Sequence, residues 1–238
     1  MSRATVIARR ELSSYFYSPI AYVAMTLFLL ASGILFWRDF LPGQPAAMRT
    51  IFDWMVWFLV IVVPLLCMGL LAQEWATGTI ETMMTAPVAE TDLVLGKFLG
   101  AFGFFLVLLA PTLLYVVMLR VYARPDYGPI FSGYLGVVLV GALFVAVGLF
   151  CSSLTRSHVV AAVMSAAALF VVTVIPWWLS GIATLGGFAR AIVDQSVFRR
   201  YIDFSKGVID LGNLVFFLAT TAVFLFLTVK VLESRRWK

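Results

Sequence analysis

Long apolar runs without charged residues dominate the sequence and limit what it can fold into. A helical run of about 20 residues matches the hydrocarbon thickness of a bilayer. We therefore predict an all-α polytopic membrane protein that forms a single transmembrane domain, residues 1–238. The six predicted spans are residues 19–37, 54–72, 98–119, 133–154, 159–179 and 211–229. Because only short connections remain, an energy source for any active process must lie outside the chain.

The net charge of +5 does not indicate nucleic acid as a partner. The basic residues lie largely at the chain ends and at helix boundaries, where the anionic headgroups of membrane lipids are the simpler partner. Cys67 and Cys151 fall inside apolar runs and behave as small hydrophobic residues. The first apolar run is long enough to span and has no small-residue cleavage site behind it, so we expect it to be retained.

Residues 2–17 precede the first span and support an amphipathic helix. At 100° per residue, one side collects Ala4, Ala8, Leu12, Tyr15 and Phe16. The other side collects Arg10, Glu11, Ser13 and Ser14. This pattern favours an interfacial helix at the headgroup level that ends at Pro19, and a frayed basic tail is the alternative.

A polar segment, residues 74–96, separates the second and third predicted spans. Thr79 can cap a short helix that has Glu81 in its first turn and ends at Pro87. Ile80, Met83 and Met84 would then share an exposed apolar patch, which suggests a docking surface. The same spacing also suits a loop helix with its methionines in lipid.

The predicted spans contain no Asp, Glu, Lys, Arg or His, whereas ion-coupled transporters usually keep an ionisable group near mid-membrane. Gly96 and Gly100 have the GxxxG spacing that allows close approach of helices. His158 is the sole histidine, so we predict no metal site. The sequence has no phosphate-binding G-x4-GK[ST] motif and therefore cannot bind ATP in that way. We expect no catalytic residue and no cofactor in this chain.

The charge distribution predicts the topology only in part. Lys and Arg are divided almost equally between the two sides, but those at the two chain ends weigh most because the first helix often sets the orientation. We therefore predict that the N-terminus and the C-terminus both lie in the cytoplasm.

The pattern E-x3-GT-x-E-x5-P-x8-GK resembles the loop between the second and third spans of ABC-2 type transporter permeases. It is formed by Glu74, Gly78, Thr79, Glu81, Pro87, Gly96 and Lys97. The stretch ARREL, residues 8–12, is similar to the connecting helix of that family. The stretch FSKGVIDLGNLVFF, before the last span, resembles the gliding-motility branch.

The resemblance implies the six-span architecture of type V exporters and a coupling segment that contacts a separate ATPase subunit. It implies that Glu74 and Lys97 flank the hinge, that Pro87 ends the coupling helix, and that Arg9, Arg10 and Glu11 lie beside it on the connecting helix. The residues implied to face the ATPase are Gly78, Thr79, Ile80, Glu81, Met84 and Thr85. An ion pair between the connecting helix and the acidic segment is a further hypothesis.

The same resemblance implies the location and the partners. The protein would lie in a bacterial inner membrane, with residues 180–210 forming helices on the outer side. ATP and Mg would bind in the ATPase subunit. A second permease chain, identical or different, and a periplasmic or auxiliary membrane partner would complete the assembly. The function would be export of a substrate or transmission of force.

A polytopic membrane enzyme acting on lipids is the main alternative. The loop before the last span could supply an acid, a base and phosphate contacts. The candidate residues are Asp194, Arg199, Arg200, Tyr201 and Asp203. A channel is the third possibility, and the lack of a charged ring or a filter-like loop counts against it.

Overall fold

The computed structural model describes residues 3–39, 48–78, 89–122, 125–180, 193 and 195–236. These residues are almost entirely helical and contain no β-strand. The helices are α1 (Arg3–Tyr17), α2 (Pro19–Asp39), α3 (Arg49–Cys67), α4 (Ala72–Thr77), α5 (Glu90–Leu109), α6 (Leu113–Tyr122), α7 (Tyr127–Leu154), α8 (His158–Ser180), α9 (Val197–Ser205) and α10 (Leu211–Arg236). A single 3-10 turn, Ala110–Thr112, joins α5 to α6.

Six stretches of the described chain are long and apolar enough to cross a membrane, which confirms the predicted fold class. They are Pro19–Asp39, Arg49–Thr77, Glu90–Tyr122, Tyr127–Leu154, His158–Leu179 and Leu211–Arg235. Several extend past the predicted spans, and the third begins at Glu90 instead of residue 98. An apolar run stops at the first charged residue, whereas a helix can continue into the polar layer, so the helices are longer than the runs.

The fourth span, α7, is the centre of the bundle. In its most apolar window 83% of the residues are buried, against 22–33% in the first, third, fifth and sixth spans. Its glycines admit neighbouring side chains, because a Cβ atom on Gly133 would lie 2.4 Å from Phe52 and one on Gly141 would lie 2.1 Å from Phe105. Small residues thus let the other helices approach α7 closely.

The N-terminal helix α1 packs along the beginning of α5, and the two helices run in the same direction. Ile7 lies against Gly96, and Glu11 lies against Gly100. One turn further, Tyr15 stacks on Phe104 with ring centroids 4.8 Å apart. Gly96 and Gly100, which have the GxxxG spacing, therefore form the surface of α5 on which α1 packs, and we call this surface the seat of α1.

The packed face of α1 matches the predicted apolar face in part. Ala4 and Tyr15 are buried as predicted, but Phe16 is exposed. Glu11 was predicted on the polar face, and it instead turns towards α5, where it meets a buried lysine. Periodicity alone could not show this, because the partner lies on another helix.

Helix α9 lies within the segment that was predicted to form outer-side helices, and it packs against α7. Tyr201 and Phe204 are fully buried, and Ser132 of α7 donates a hydrogen bond of 2.8 Å to the carbonyl oxygen of Phe204. Residues 181–192 and 194 of that segment lie outside the described residues.

The seat of α1 can be tested with Gly100→Ala. The new methyl group would lie 2.6 Å from the Cβ atom of Glu11 and 3.0 Å from the carbonyl oxygen of Ala8, so α1 must move away. Overpacking of this kind costs about 1–3 kcal/mol, which should lower the thermal unfolding midpoint in detergent by about 2–10 °C.

Gly103→Ala on the same helix is the matched control. Its methyl group would meet Leu12 at 3.6 Å, an ordinary contact, so its midpoint should stay near that of the wild type. Equal midpoints for the two variants would contradict this packing.

Candidate functional site

The candidate site is the base of the 74–96 segment, where α4 ends and α5 begins. The described residues end at Gly78 on one side of the segment and begin again at Ala89 on the other. The sequence-predicted residues Thr79, Ile80, Glu81, Met84, Thr85 and Pro87 therefore lie outside the described residues. Glu74, Gly78, Lys97, Arg9, Arg10 and Glu11 are all described.

Gly78 ends α4 and directs the chain into the segment. Its φ angle of +71° lies in the left-handed region, which glycine adopts without the steric cost that a Cβ atom brings. The short helix thus stops four residues after Glu74, and Glu74 stays at the base of the segment.

Lys97 is the central side chain of the site, and it is 3% exposed. Its Nζ atom lies 2.8 Å from Oε1 of Glu74 and 3.3 Å from Oε2 of Glu11. We call these three residues the Lys97 cluster. Because an unpaired buried ammonium is costly, the ion pairs of Lys97 stabilise the packing of α1 and α4 against α5.

The Lys97 cluster contains two carboxylates and one ammonium, so it carries one excess negative charge. The second carboxylate oxygen of Glu74 is buried and has no hydrogen-bond partner in the described part of the chain. A buried acceptor in this state costs free energy. The base of the segment therefore combines one tight ion pair with an unsatisfied acceptor.

The residues that were predicted to lie on a connecting helix divide into two groups. Glu11 faces the protein and joins the Lys97 cluster. Arg9 and Arg10 are exposed, and no ion pair found among the described residues involves them. The structure therefore brings together Glu11, Glu74 and Lys97, and it leaves Arg9 and Arg10 at the surface.

The position of Glu74 depends on a break in the second span. The helix α3 ends at Cys67, shortly after Pro64, and α4 begins at Ala72. Backbone groups freed inside a membrane protein must find partners within the protein.

Two side chains from other helices form hydrogen bonds with some of the backbone groups at this break. The hydroxyl oxygen of Ser152, on α7, accepts hydrogen bonds from the backbone N–H groups of Leu71 at 3.1 Å and Ala72 at 3.0 Å. The same hydroxyl donates to the carbonyl oxygen of Met68 at 3.3 Å. The Tyr15 hydroxyl, on α1, donates to the carbonyl oxygen of Leu66 at 2.9 Å. The start of α4 is thus held from two sides.

Burial keeps Tyr15 in the form that this hydrogen bond requires. Burial first, and then the nearby Cys67 and Glu11, raise the pKa of the Tyr15 hydroxyl well above its usual value. Tyr15 therefore remains a donor at any physiological pH.

The C-terminal helix also reaches α4. The guanidinium of Arg235 lies 4.8 Å from the centre of the Trp75 ring and donates a 2.6 Å hydrogen bond to the carbonyl oxygen of Leu154. The first and last helices of the described chain therefore both contact the base of the 74–96 segment.

Two of the residues proposed for a lipid-acting enzyme, Arg200 and Asp203, take part in a junction between helices. Arg200 donates to the side-chain oxygen of Asn213 at 3.2 Å, and the Asn213 amide donates to Asp203 at 3.0 Å. Tyr201 is fully buried, and burial followed by the charge of Asp53 raises its pKa, which opposes a role as a base. Asp194 lies outside the described residues. This arrangement holds α9 against α10.

The six apolar helices define a multi-pass membrane protein. Comparison with known families gives a match to a family described as "ABC-2 family transporter protein" over residues 31–237. The match covers most of the sequence, so the chain belongs to the ABC-2 transporter family. No curated protein matches the chain.

Ser152→Ala tests the support of the helix break. The substitution leaves two backbone donors and one carbonyl acceptor without their partner, which costs about 1–3 kcal/mol per buried group. We expect a clearly lower thermal unfolding midpoint in detergent and faster proteolysis at the base of the 74–96 segment.

Ser153→Ala is the control for this variant. Ser153 is equally buried, but its hydroxyl donates only to the carbonyl oxygen of Phe150 in its own helix. Its loss should leave the base of the segment unchanged. Similar behaviour of both variants would contradict the role assigned to Ser152.

Proposed function

We propose that this chain is the membrane subunit of an ATP-binding cassette exporter in a bacterial inner membrane, with both termini in the cytoplasm. ATP hydrolysis by a separate ATPase subunit, which binds ATP and Mg, would drive it. The observation that carries the proposal is the Lys97 cluster. It ties the N-terminal helix and both flanks of one polar segment together in a chain of the ABC-2 family.

These contacts give a path for force through the protein. A force on the 74–96 segment reaches α4 through Gly78, because α4 forms the N-terminal flank of the segment. It reaches α5 and α1 through the ion pairs of Lys97 with Glu74 and Glu11. The helix break between Cys67 and Ala72 lets α4 change its angle to α3 without bending the whole span.

Closure of the ATPase would act on this base. A partner can shift the membrane helices between two arrangements only if it contacts the two arrangements differently. In the proposed mechanism the ATPase makes this difference by contacting the 74–96 segment, and the Lys97 cluster transmits the resulting movement of α4 to α5 and α1.

A second permease chain, identical or different, would complete the translocation path. The apolar walls of the spans suit an amphipathic or polymeric substrate. Transmission of force to a periplasmic or auxiliary membrane partner is a variant of the same mechanism, and the relation to the gliding-motility branch belongs to this proposal.

The partner can be identified by purification. We expect the 238-residue chain, extracted in a mild detergent, to bring with it an ATPase subunit whose sequence contains the phosphate-binding motif. Recovery of the folded chain with no ATPase subunit, under conditions that preserve other membrane complexes, would contradict the proposal.

Lys97→Met tests the transmission of force. Removing one partner of a buried ion pair costs about 3–5 kcal/mol, because two carboxylates then remain without a counter-charge. We expect ATP hydrolysis by the reconstituted complex to fall at least about tenfold. Lys230→Met is the control, because Lys230 pairs with Glu233 in an exposed position, and it should keep the wild-type rate.

Glu74→Gln separates a folding defect from a coupling defect. Lys97 keeps Glu11 as a partner in this variant, so the complex should assemble in normal amounts and still hydrolyse ATP more slowly. Wild-type hydrolysis rates in both Lys97→Met and Glu74→Gln would exclude the cluster from coupling.

A further inference from the structure

A cavity of about 720 Å³ lies next to the Lys97 cluster. It is partly open, and it is bordered by the corner between α1 and α2, by the break between α3 and α4, and by the start of α8. Irregular backbone at membrane depth occurs where it is buried in protein or lines a polar cavity. The break therefore has a cavity of the kind that interrupted helices line at binding sites.

The lining of the cavity combines apolar and polar groups. Ile20, Leu65 and Leu66 supply apolar wall, and Ser14 and Gln73 supply uncharged polar groups. Such a mixture fits an amphipathic molecule, because the apolar wall buries its body and the polar groups orient its head.

The charge of the lining has one sign. Glu11 is its acidic residue, and no lysine or arginine is among the described residues that line it. The other polar residues of the lining are Tyr15, Tyr17, Ser18 and His158. The lining therefore favours a positively charged head over a negatively charged one.

The Lys97 cluster adds to this preference. One of its two carboxylates, that of Glu11, borders the cavity, and the Glu11 side chain remains 20% exposed. A buried excess charge is stabilised by a counter-ion. A cation in the cavity would supply that charge beside Glu11.

We propose that this cavity binds an amphipathic organic cation, with its charged group at Glu11 and its apolar part against Leu65 and Leu66. Binding is a property of this chain. The further step, that the bound cation is exported, rests on the proposed function.

The position of Glu11 connects the cavity to the 74–96 segment. Glu11 lines the cavity and also pairs with Lys97, and Lys97 pairs with Glu74 at the base of the segment. A bound cation that attracts the Glu11 carboxylate weakens the ion pair between Glu11 and Lys97. Occupancy of the cavity is thereby transmitted to the segment through three side chains.

Binding of two ions of similar shape and opposite charge tests the inference. The probes are tetraphenylphosphonium and tetraphenylborate, measured by equilibrium dialysis with the 238-residue chain and any subunits that purify with it. We expect the phosphonium to bind at least about tenfold more tightly than the borate. Glu11→Gln should weaken phosphonium binding at least about tenfold, while Lys97 keeps its ion pair with Glu74.

Two further variants make the result specific. Ser14→Lys places a cation at the cavity wall one helical turn from Glu11, where it competes with the bound cation for that carboxylate, so it should weaken phosphonium binding to a similar degree. Glu233→Gln removes an exposed carboxylate that pairs with Lys230, and it should bind as the wild type does.

Equal binding of the two probes would overturn the inference. So would wild-type phosphonium affinity in both Glu11→Gln and Ser14→Lys, which is the result expected if the probe only partitions into detergent. Because binding is measured without ATP, its failure leaves the co-purification of an ATPase untouched. Likewise, absence of an ATPase would leave the binding result standing.

Discussion

The buried ammonium of Lys97 is the interaction on which the rest of the described site depends. A lysine near a membrane boundary usually extends its charge into water, but here it is enclosed and must be neutralised by protein. Glu74 and Glu11 come from different helices, so satisfying one charge fixes the relative positions of three elements. The seat that Gly96 and Gly100 provide for α1 is what lets Glu11 come close enough.

A second constraint comes from the interrupted helix of the second span. Its free backbone groups are satisfied by Ser152 from the central helix and by Tyr15 from α1. The two constraints meet at α1, which supplies both Glu11 and Tyr15. In the proposed exporter, these contacts would make the N-terminal helix a support for α4. The angle between α4 and the rest of its span would then change only when α1 or α7 also moves.

The fold and part of the site follow from local sequence patterns. Apolar run lengths predict the six spans, and small-residue spacing on α5 predicts a close helix contact, because both depend on neighbours in sequence. The partner of Lys97 does not follow in this way, since Glu11 is distant in sequence and was placed on the polar face of α1. The role of Ser152 was not predicted either. A serine inside an apolar run cannot be distinguished from other small residues by sequence alone, and its role becomes clear only when the backbone groups that it hydrogen-bonds are known.

The proposed function requires that the base of the 74–96 segment faces the cytoplasm and contacts an ATPase. A cysteine introduced at Ala89 tests this most directly. Ala89 is exposed at the start of α5, and the native Cys67 and Cys151 are both buried, so background labelling should be low. With a photoreactive maleimide on Ala89→Cys, we predict labelling from the cytoplasmic side alone and cross-linking to an ATPase subunit in the assembled complex. Labelling from the outside of intact cells, or cross-links to lipid alone, would contradict the account.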